Sequence, residues 1–285
     1  MLRLLVAFLM AEGSTVPSAN AVIAVPVTNM YSRPNANADV VSQAIYGANA
    51  QIIGRRGAWL RIRTADSYTG WITASSALRR TPYAQDGPQD GSCVEVESLF
   101  ANLYREADVT KHRPVLTVPF EARFEVLPAQ ADDPRWLQVK LPGGSKAWIQ
   151  RGDVTANPKP QAIPDVIAFS RRFLGLPYLW GGTSTYGYDC SGFTQMLCRR
   201  RGVLIPRDAS QQAAWTGLVP VARDRLQPGD LLYFGASADR ITHTGMYIGD
   251  GEFIDATPWQ RPVIQIDRLD DEHWSPLFVA ARRIQ

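Results

Sequence analysis

The chain has 285 residues and a net charge of +3, with 45% hydrophobic and 20% charged residues. Such a balance is ordinary for a globular protein that buries a core, and the length suits two or three domains. The charge alone gives no nucleic-acid footprint, and no apolar run is long enough to span a bilayer. At the N-terminus, Met1-Leu2-Arg3 precedes an apolar run from Leu4 to Ala11, and a small-residue site, Ala19-Asn20-Ala21, follows. Residues 1–21 thus have the three parts of a secretory signal, although the apolar part is short and Glu12 cuts it off. We read this segment as an export signal; the alternative is an N-terminal arm on a cytoplasmic protein.

An internal repeat comes next. Asn29-Met30-Tyr31, Trp59-Leu60-Arg61-Ile62 and Gly70-Trp71-Ile72 have counterparts in Asn102-Leu103-Tyr104, Trp136-Leu137-Gln138-Val139 and Ala147-Trp148-Ile149. The second and third landmarks are equally spaced in both copies, so one module occurs twice, over about 22–80 and 92–155. Runs such as Trp59-Leu60-Arg61-Ile62-Arg63 alternate with the period of half-buried strands. A closed barrel would remove the exposed edges of so small a sheet. A Trp, an alternating strand and a Gly-Trp-Ile strand resemble bacterial SH3-like domains.

Pro158, Pro160 and Pro164 mark a stiff connector over 156–164, and the third domain spans 165–285. Asp165 to Leu174 reads as a helix, with Val166, Phe169, Phe173 and Leu174 near one stripe. A glycine-rich loop, Trp180 to Tyr188, then runs into an amphipathic helix from Cys190 to about Arg201, ending at Gly202. Arg199-Arg200-Arg201 would be a solvated helix end at the negative pole of the dipole. Strands are expected at Leu231–Phe234, Thr244–Ile248, Glu252–Ile254, Val263–Ile266 and Phe278–Ala280. Helices followed by antiparallel strands suggest an α+β domain.

Cys93, Cys190 and Cys198 are too few for a disulfide framework and wrongly spaced for a paired C-x-x-C zinc site. Cys190 is different, because a helix N-terminus offers it unpaired N–H groups and the positive end of the macrodipole. A thiol nucleophile also needs a base and a group to orient that base. His243 opens a strand, and a hairpin through Gly249-Asp250-Gly251 would return Asp255 toward it. Asp255 would hold one imidazole nitrogen while the other faces sulfur. The alternatives are plain: a lone cysteine is usually packing, and Asp255 could simply end a strand. His112 reads as a surface residue and His273 as solvated.

Pro177-Tyr178-Leu179-Trp180-Gly181-Gly182, Asp189-Cys190-Ser191-Gly192-Phe193 and His243-Thr244-Gly245-Met246-Tyr247-Ile248-Gly249 closely resemble the NlpC-type bacterial cell-wall cysteine peptidases. The resemblance covers about 165–285 and implies a papain-like α+β domain after the two all-β SH3-like barrels. It also implies cleavage of the bond between D-glutamate and a diamino acid in peptidoglycan stem peptides, without metal or cofactor. By position, Cys190 would be the nucleophile, His243 the base and Asp255 the third polar residue. That third residue is often histidine in the family, so Asp255 is a departure. An aspartate there should bind the imidazolium more strongly.

Tyr178 would donate to the oxyanion together with the Cys190 N–H; its alternative is a core ring. Asp189, an N-cap, and Ser191 would face substrate, joined by Trp180 from the first stretch and by Arg207 of Pro206-Arg207-Asp208, which follows the helix. Asp208 matches a position that binds a free substrate amine in relatives carrying SH3-like domains. Those relatives act on short stem peptides with a free N-terminal L-alanine. Tyr68 would add a contact from the first module, unless it is only an exposed loop aromatic. The expected partners are stem peptides, with no nucleic acid and no integral membrane segment. Two rivals remain: an amidase or acyltransferase on the same frame, and a wall-binding protein without activity.

Overall fold

The computed structural model describes residues 19–79, 83–84, 92–128, 133–156 and 158–285. The signal-like segment up to residue 18 lies outside the described residues. The first repeat forms β1 (Ala19–Ile23), β2 (Val27–Tyr31), β3 (Val40–Ile45), β4 (Asn49–Arg56), β5 (Trp59–Arg63), β6 (Thr69–Thr73) and β7 (Ala77–Arg79). The second forms β8 (Cys93–Val96), β9 (Phe100–Tyr104), β10 (Leu116–Pro119), β11 (Arg123–Val126), β12 (Trp136–Lys140), β13 (Lys146–Gln150) and β14 (Val154–Thr155). The sheet orders are β3-β2-β6-β5-β4-β1-β7 and β10-β9-β13-β12-β11-β8-β14, the same path twice.

The repeated aromatic landmarks have one structural cause. Tyr31 pairs with Trp71 and meets Trp59 edge-on at 5.6 Å; Tyr104 pairs with Trp148 and meets Trp136 edge-on at 5.5 Å. Edge-to-face rings at this distance fix the crossing of three strands in each copy. The alternation in β5 sends Leu60 and Ile62 inward.

One boundary differs from the sequence reading. Ala19 to Ala21, assigned to the signal-like segment, are part of β1, which pairs with both β4 and β7. Ala21, Val22 and Ile23 are all fully buried, because Val22 is covered by Tyr83 and Ala84 while Ala21 and Ile23 face the sheet's core. A strand covered on both faces does not alternate, which hides it from a period-two reading.

Beyond the connector come α1 (Ile163–Ser170), β15 (Thr183–Ser184), β16 (Gly187–Tyr188), α2 (Cys190–Arg200) and α3 (Ala209–Ala214). They are followed by β17 (Leu218–Val221), β18 (Leu231–Ser237), β19 (Arg240–Gly249), β20 (Glu252–Thr257), β21 (Val263–Arg268) and β22 (Phe278–Ile284). The last six make an antiparallel sheet in the order β17-β22-β18-β19-β20-β21. The helix expected over 165–174 starts earlier and ends in a 3₁₀ turn, Arg171–Phe173, since Pro164 suits a first turn. The unexpected β17 contains Pro220, tolerable only because this strand lies at the sheet edge.

Each module lends an aromatic ring to the next core. Tyr46 of the first sits in the second core, 5.4 Å from Phe124. Phe120 of the second sits in the third core, 5.4 Å from Phe169 and 5.7 Å from Phe173. The arginines at the end of α2 join the same contact. Arg199 bonds Glu121 at 2.7 Å and Arg200 bonds Glu97 at 3.0 Å, both carboxylates belonging to the second repeat. The expectation of a solvated helix end therefore fails for these two: their charges are met by acids of the adjoining module. Phe120→Ala should lower unfolding free energy by about 3–5 kcal/mol through the cavity it leaves, measured by urea titration. A loss well under about 1 kcal/mol would mean that the two cores are energetically separate.

Candidate active site

The loop–helix junction at Cys190 is built around one buried carboxylate. Asp189 caps α2, accepting from the Gly192 N–H at 2.7 Å and from the Gly181 N–H at 3.0 Å. Gly192 must be glycine, since a Cβ there would stand 2.2 Å from the Gly182 carbonyl oxygen. Gly181 has φ +75° and packs against Val40 of β3, leaving no room for a side chain. Arg207, only 2% exposed, donates to Asp189 at 2.6 and 3.0 Å, to Ser191 Oγ at 2.8 Å and to Ser42 Oγ of the first sheet at 3.2 Å. The sequence reading gave Asp189, Ser191 and Arg207 to the substrate. The structure buries all three and hydrogen-bonds them to one another at the start of α2.

Cys190, 8% exposed, begins α2. Cys198, two turns on, is fully buried in the core, and burial pushes its thiol up to about 12. His243 and Asp255 project from β19 and β20, which pair around Met246 and Ile254. His243 Nε2 shares a 2.6 Å hydrogen bond with Asp255 Oδ2, and Cys190 lies near enough to favour the charged imidazole. With Nε2 taken by the carboxylate, Nδ1 is left for sulfur. Trp274 stacks on the imidazole at 4.7 Å and fixes its plane.

Burial opposes a charged imidazolium, but Asp255 and Cys190 outweigh it and lift His243 to about 10. Burial lifts Asp255 to about 6, with the His243 bond pulling the other way. The 2.6 Å bond favours the carboxylate–imidazolium form of the pair. A raised histidine stabilises the folded charged state fully below its unfolded pKa, and that contribution is lost as pH rises through about 10.

Tyr178 is half-buried beside this row. Burial, and then the nearby Cys190 charge, push its phenol well above the usual tyrosine range, so it remains a hydrogen-bond donor. Asp208 follows Arg207 in the chain, and the Tyr68 hydroxyl reaches its carboxylate at 3.1 and 3.2 Å. Burial raises Asp208 above the ordinary carboxylate range, while Tyr68 and Arg207 draw it down. The two residues line a cleft of about 680 Å³ with Asp66, Gln211 and Trp215. Thus the loop aromatic of the first module does reach the third.

Trp180 stands apart, 69% exposed beside the buried Gly181-Gly182 turn. His112 sits near Glu106 on the surface. His273 departs from its solvated reading: it stacks on Trp259 at 3.6 Å and meets Trp274 edge-on. Several polar groups escaped the sequence reading. Gln43 of β3 accepts from the Thr183 N–H and the Ser184 hydroxyl. Gln212, fully buried, donates to the Ser191 and Pro206 carbonyls and accepts from Thr194. Trp274 gave no signal beyond being an aromatic in a polar turn. Their partners in the fold, invisible in the chain, mark them.

Thiol, imidazole and carboxylate in a row at a helix start form the constellation of cysteine-dependent hydrolysis. Comparison with known proteins agrees. Residues 175–283 match the NlpC/P60 family, and residues 26–78 match the bacterial SH3 domain. A γ-D-glutamyl-L-lysine dipeptidyl-peptidase of Bacillus cereus is 32% identical over 264 residues, covering 87% of this chain and 76% of that protein. A γ-D-glutamyl-L-lysine dipeptidyl-peptidase of Bacillus subtilis is 28% identical, with 86% and 81% covered. The crystal structure of an NlpC/P60 family protein from Bacillus cereus superposes with a TM-score of 0.80 at 26% identity, covering 93% of this chain and 99% of that one. The chain belongs to the NlpC/P60 family.

Asp255→Asn keeps the shape of the row but removes its negative charge. The alkaline limb of the kcat/KM profile should fall by a pH unit or more, and kcat should drop about 10²- to 10⁴-fold. An unchanged alkaline limb would show that Asp255 does not sustain the imidazolium.

Proposed function

We propose that the protein is a cysteine endopeptidase that hydrolyses the γ-D-glutamyl–L-diamino acid bond of peptidoglycan stem peptides, acting on short peptides with a free N-terminal L-alanine. The carrying observation is the Tyr68–Asp208 pair, at 3.1 Å, in a cleft also lined by Arg207, which bonds Asp189 directly before Cys190; we read this pair as the closed end of the substrate cleft. A carboxylate and a hydroxyl at that end suit an ammonium, and a closed end excludes a longer glycan-linked chain. The names of the Bacillus relatives support the bond; the closed end supports the short substrate.

In this reading the thiolate of Cys190 attacks the γ-carbonyl carbon of D-glutamate. The Tyr178 hydroxyl and the Cys190 N–H hold the oxyanion. The imidazolium of His243 protonates the departing amine, and neutral His243 then takes a proton from the water that opens the thioester. Asp255 and Trp274 keep the ring in plane throughout. Asp189, Ser191 and Arg207 support the helix start, and Trp180 offers an exposed face at the loop.

The domain reading belongs to the same proposal. Two SH3-like barrels, over 22–80 and 92–155, precede a Pro-rich connector at 156–164 and a papain-like α+β peptidase domain at 165–285. Their identical sheet orders support a duplicated barrel. The first barrel shapes the cleft rather than only tethering the enzyme. No helix among the described residues is long and apolar enough to cross a membrane. A cell-wall substrate favours action outside the cell or at the wall.

Product analysis of L-alanyl-γ-D-glutamyl-L-lysine by mass spectrometry tests the assignment. The enzyme should release L-alanyl-D-glutamate and lysine, and Cys190→Ala should release neither while keeping its melting temperature. Intact stems freed from muropeptides would mean an amidase. No product from the unaltered chain would mean a wall-binding protein.

A further inference from the structure

Tyr68 comes from a different module than Asp208, so something must hold the two loops at hydrogen-bonding distance. The holder is a single amide. Gln195 lies on α2, 2% exposed, and its Nε2 donates to Asp66 Oδ2 at 3.0 Å and to the Ile205 carbonyl at 2.9 Å. Asp66 belongs to the Tyr68 loop: its Oδ1 accepts from Thr64 Oγ1 at 2.5 Å and from the Tyr68 N–H at 3.2 Å. Ile205 belongs to the segment that leads into Arg207 and Asp208. One side-chain amide therefore spans both halves of the clamp.

That amide is itself held from the second module. Arg199 donates to Gln195 Oε1 at 3.1 Å and makes a two-pronged contact with Glu121, at 3.1 and 2.7 Å. A continuous polar chain thus runs Glu121–Arg199–Gln195–Asp66–Tyr68–Asp208. Asp66, Gln195, Arg199 and Glu121 also line a second cavity, of about 910 Å³, between the two sheets and α2. With open space beside them, hydrogen bonds rather than close packing set their spacing there.

Backbone strain marks both ends of the chain. Ser67 (φ +65°), next to Tyr68, and Glu121 (φ +66°) are two of the five non-glycine residues with left-handed φ among the described residues. Such conformations cost about 1–3 kcal/mol each and persist where the surroundings over-determine them. Glu121 is held by its two bonds from Arg199, and Ser67 sits between Asp66 and Tyr68, both members of the polar chain.

We propose that Gln195, Asp66 and Glu121 are specificity-determining positioning residues, which set the Tyr68–Asp208 clamp and make the second module part of amine selection without touching substrate. The inference rests on the proposed reading of Asp208 and Tyr68 as the amine-binding end. Removing a link lets the Tyr68 loop drift, so binding of the free amine weakens while chemistry at Cys190, which none of these links touches, proceeds as before.

The test compares L-alanyl-γ-D-glutamyl-L-lysine with its N-acetyl form on the full chain. Wild type should prefer the free amine, and Asp208→Asn should abolish that preference. Glu121→Gln and Asp66→Asn should each raise KM for the free-amine peptide about threefold to tenfold, with kcat and the N-acetyl rate constant unchanged. In a Tyr68→Phe background, Glu121→Gln should add nothing further. The inference is overturned alone if Asp208→Asn loses the preference while Glu121→Gln and Asp66→Asn keep it. Equal losses on both substrates, or full additivity with Tyr68→Phe, overturn it as well, since they indicate a general loss of structure or an unlinked effect. A wild-type enzyme with no preference overturns the amine-end reading and this inference together.

Discussion

Arg207 brings a positive charge into a place that is only 2% exposed, and Asp189 meets it at 2.6 and 3.0 Å. Neither charge is tolerable there without the other; deleting one partner of such a pair costs about 3–5 kcal/mol. Because Asp189 is also the N-cap of α2, the pair fixes where the helix starts and therefore where Cys190 sits. Because Arg207 also reaches Ser42, the pair ties the first sheet to the same point. Asp208 follows Arg207 directly in the chain. Cys190, the first sheet and the proposed amine site are thus tied to one buried ion pair.

The rest of the architecture serves to keep these parts in register. Tyr46 and Phe120 place a ring from each module in the core of the next. Arg199 and Arg200 add charged contacts along the same boundary. Interfaces made this way resist rigid-body motion far better than a flexible tether would. That rigidity matters if substrate length is measured between a residue of one module and a residue of another. A clamp made of Tyr68 and Asp208 discriminates only if their separation is fixed.

Much of this was legible in the chain. The repeated Tyr, Trp and Gly-Trp-Ile landmarks exposed two copies of one sheet, because edge-to-face aromatic contacts need those residues at those spacings. Cys190, His243 and Asp255 were legible because a nucleophile at a helix start and two residues on a hairpin obey local rules. Other features lacked a local signature. Strand β1 lies partly within a segment that reads as a signal, and it is buried on both faces, so it does not alternate. Arg199 and Arg200 read as solvent-facing cations and Arg207 as a substrate contact, yet carboxylates from other segments meet all three. Gln195 and Asp66 are ordinary polar residues until the fold brings a helix of one module against a loop of another.

The proposed substrate runs from an amine end at Asp208 and Tyr68 to its scissile bond at Cys190. A crystal structure of Cys190→Ala bound to L-alanyl-γ-D-glutamyl-L-lysine tests this most directly. The α-amine should lie within hydrogen-bonding distance of the Asp208 carboxylate and the Tyr68 hydroxyl. The γ-carbonyl should stand over residue 190 with its oxygen toward Tyr178. A peptide bound with its amine in solvent, or reversed so that lysine occupies the Asp208 end, would contradict the account.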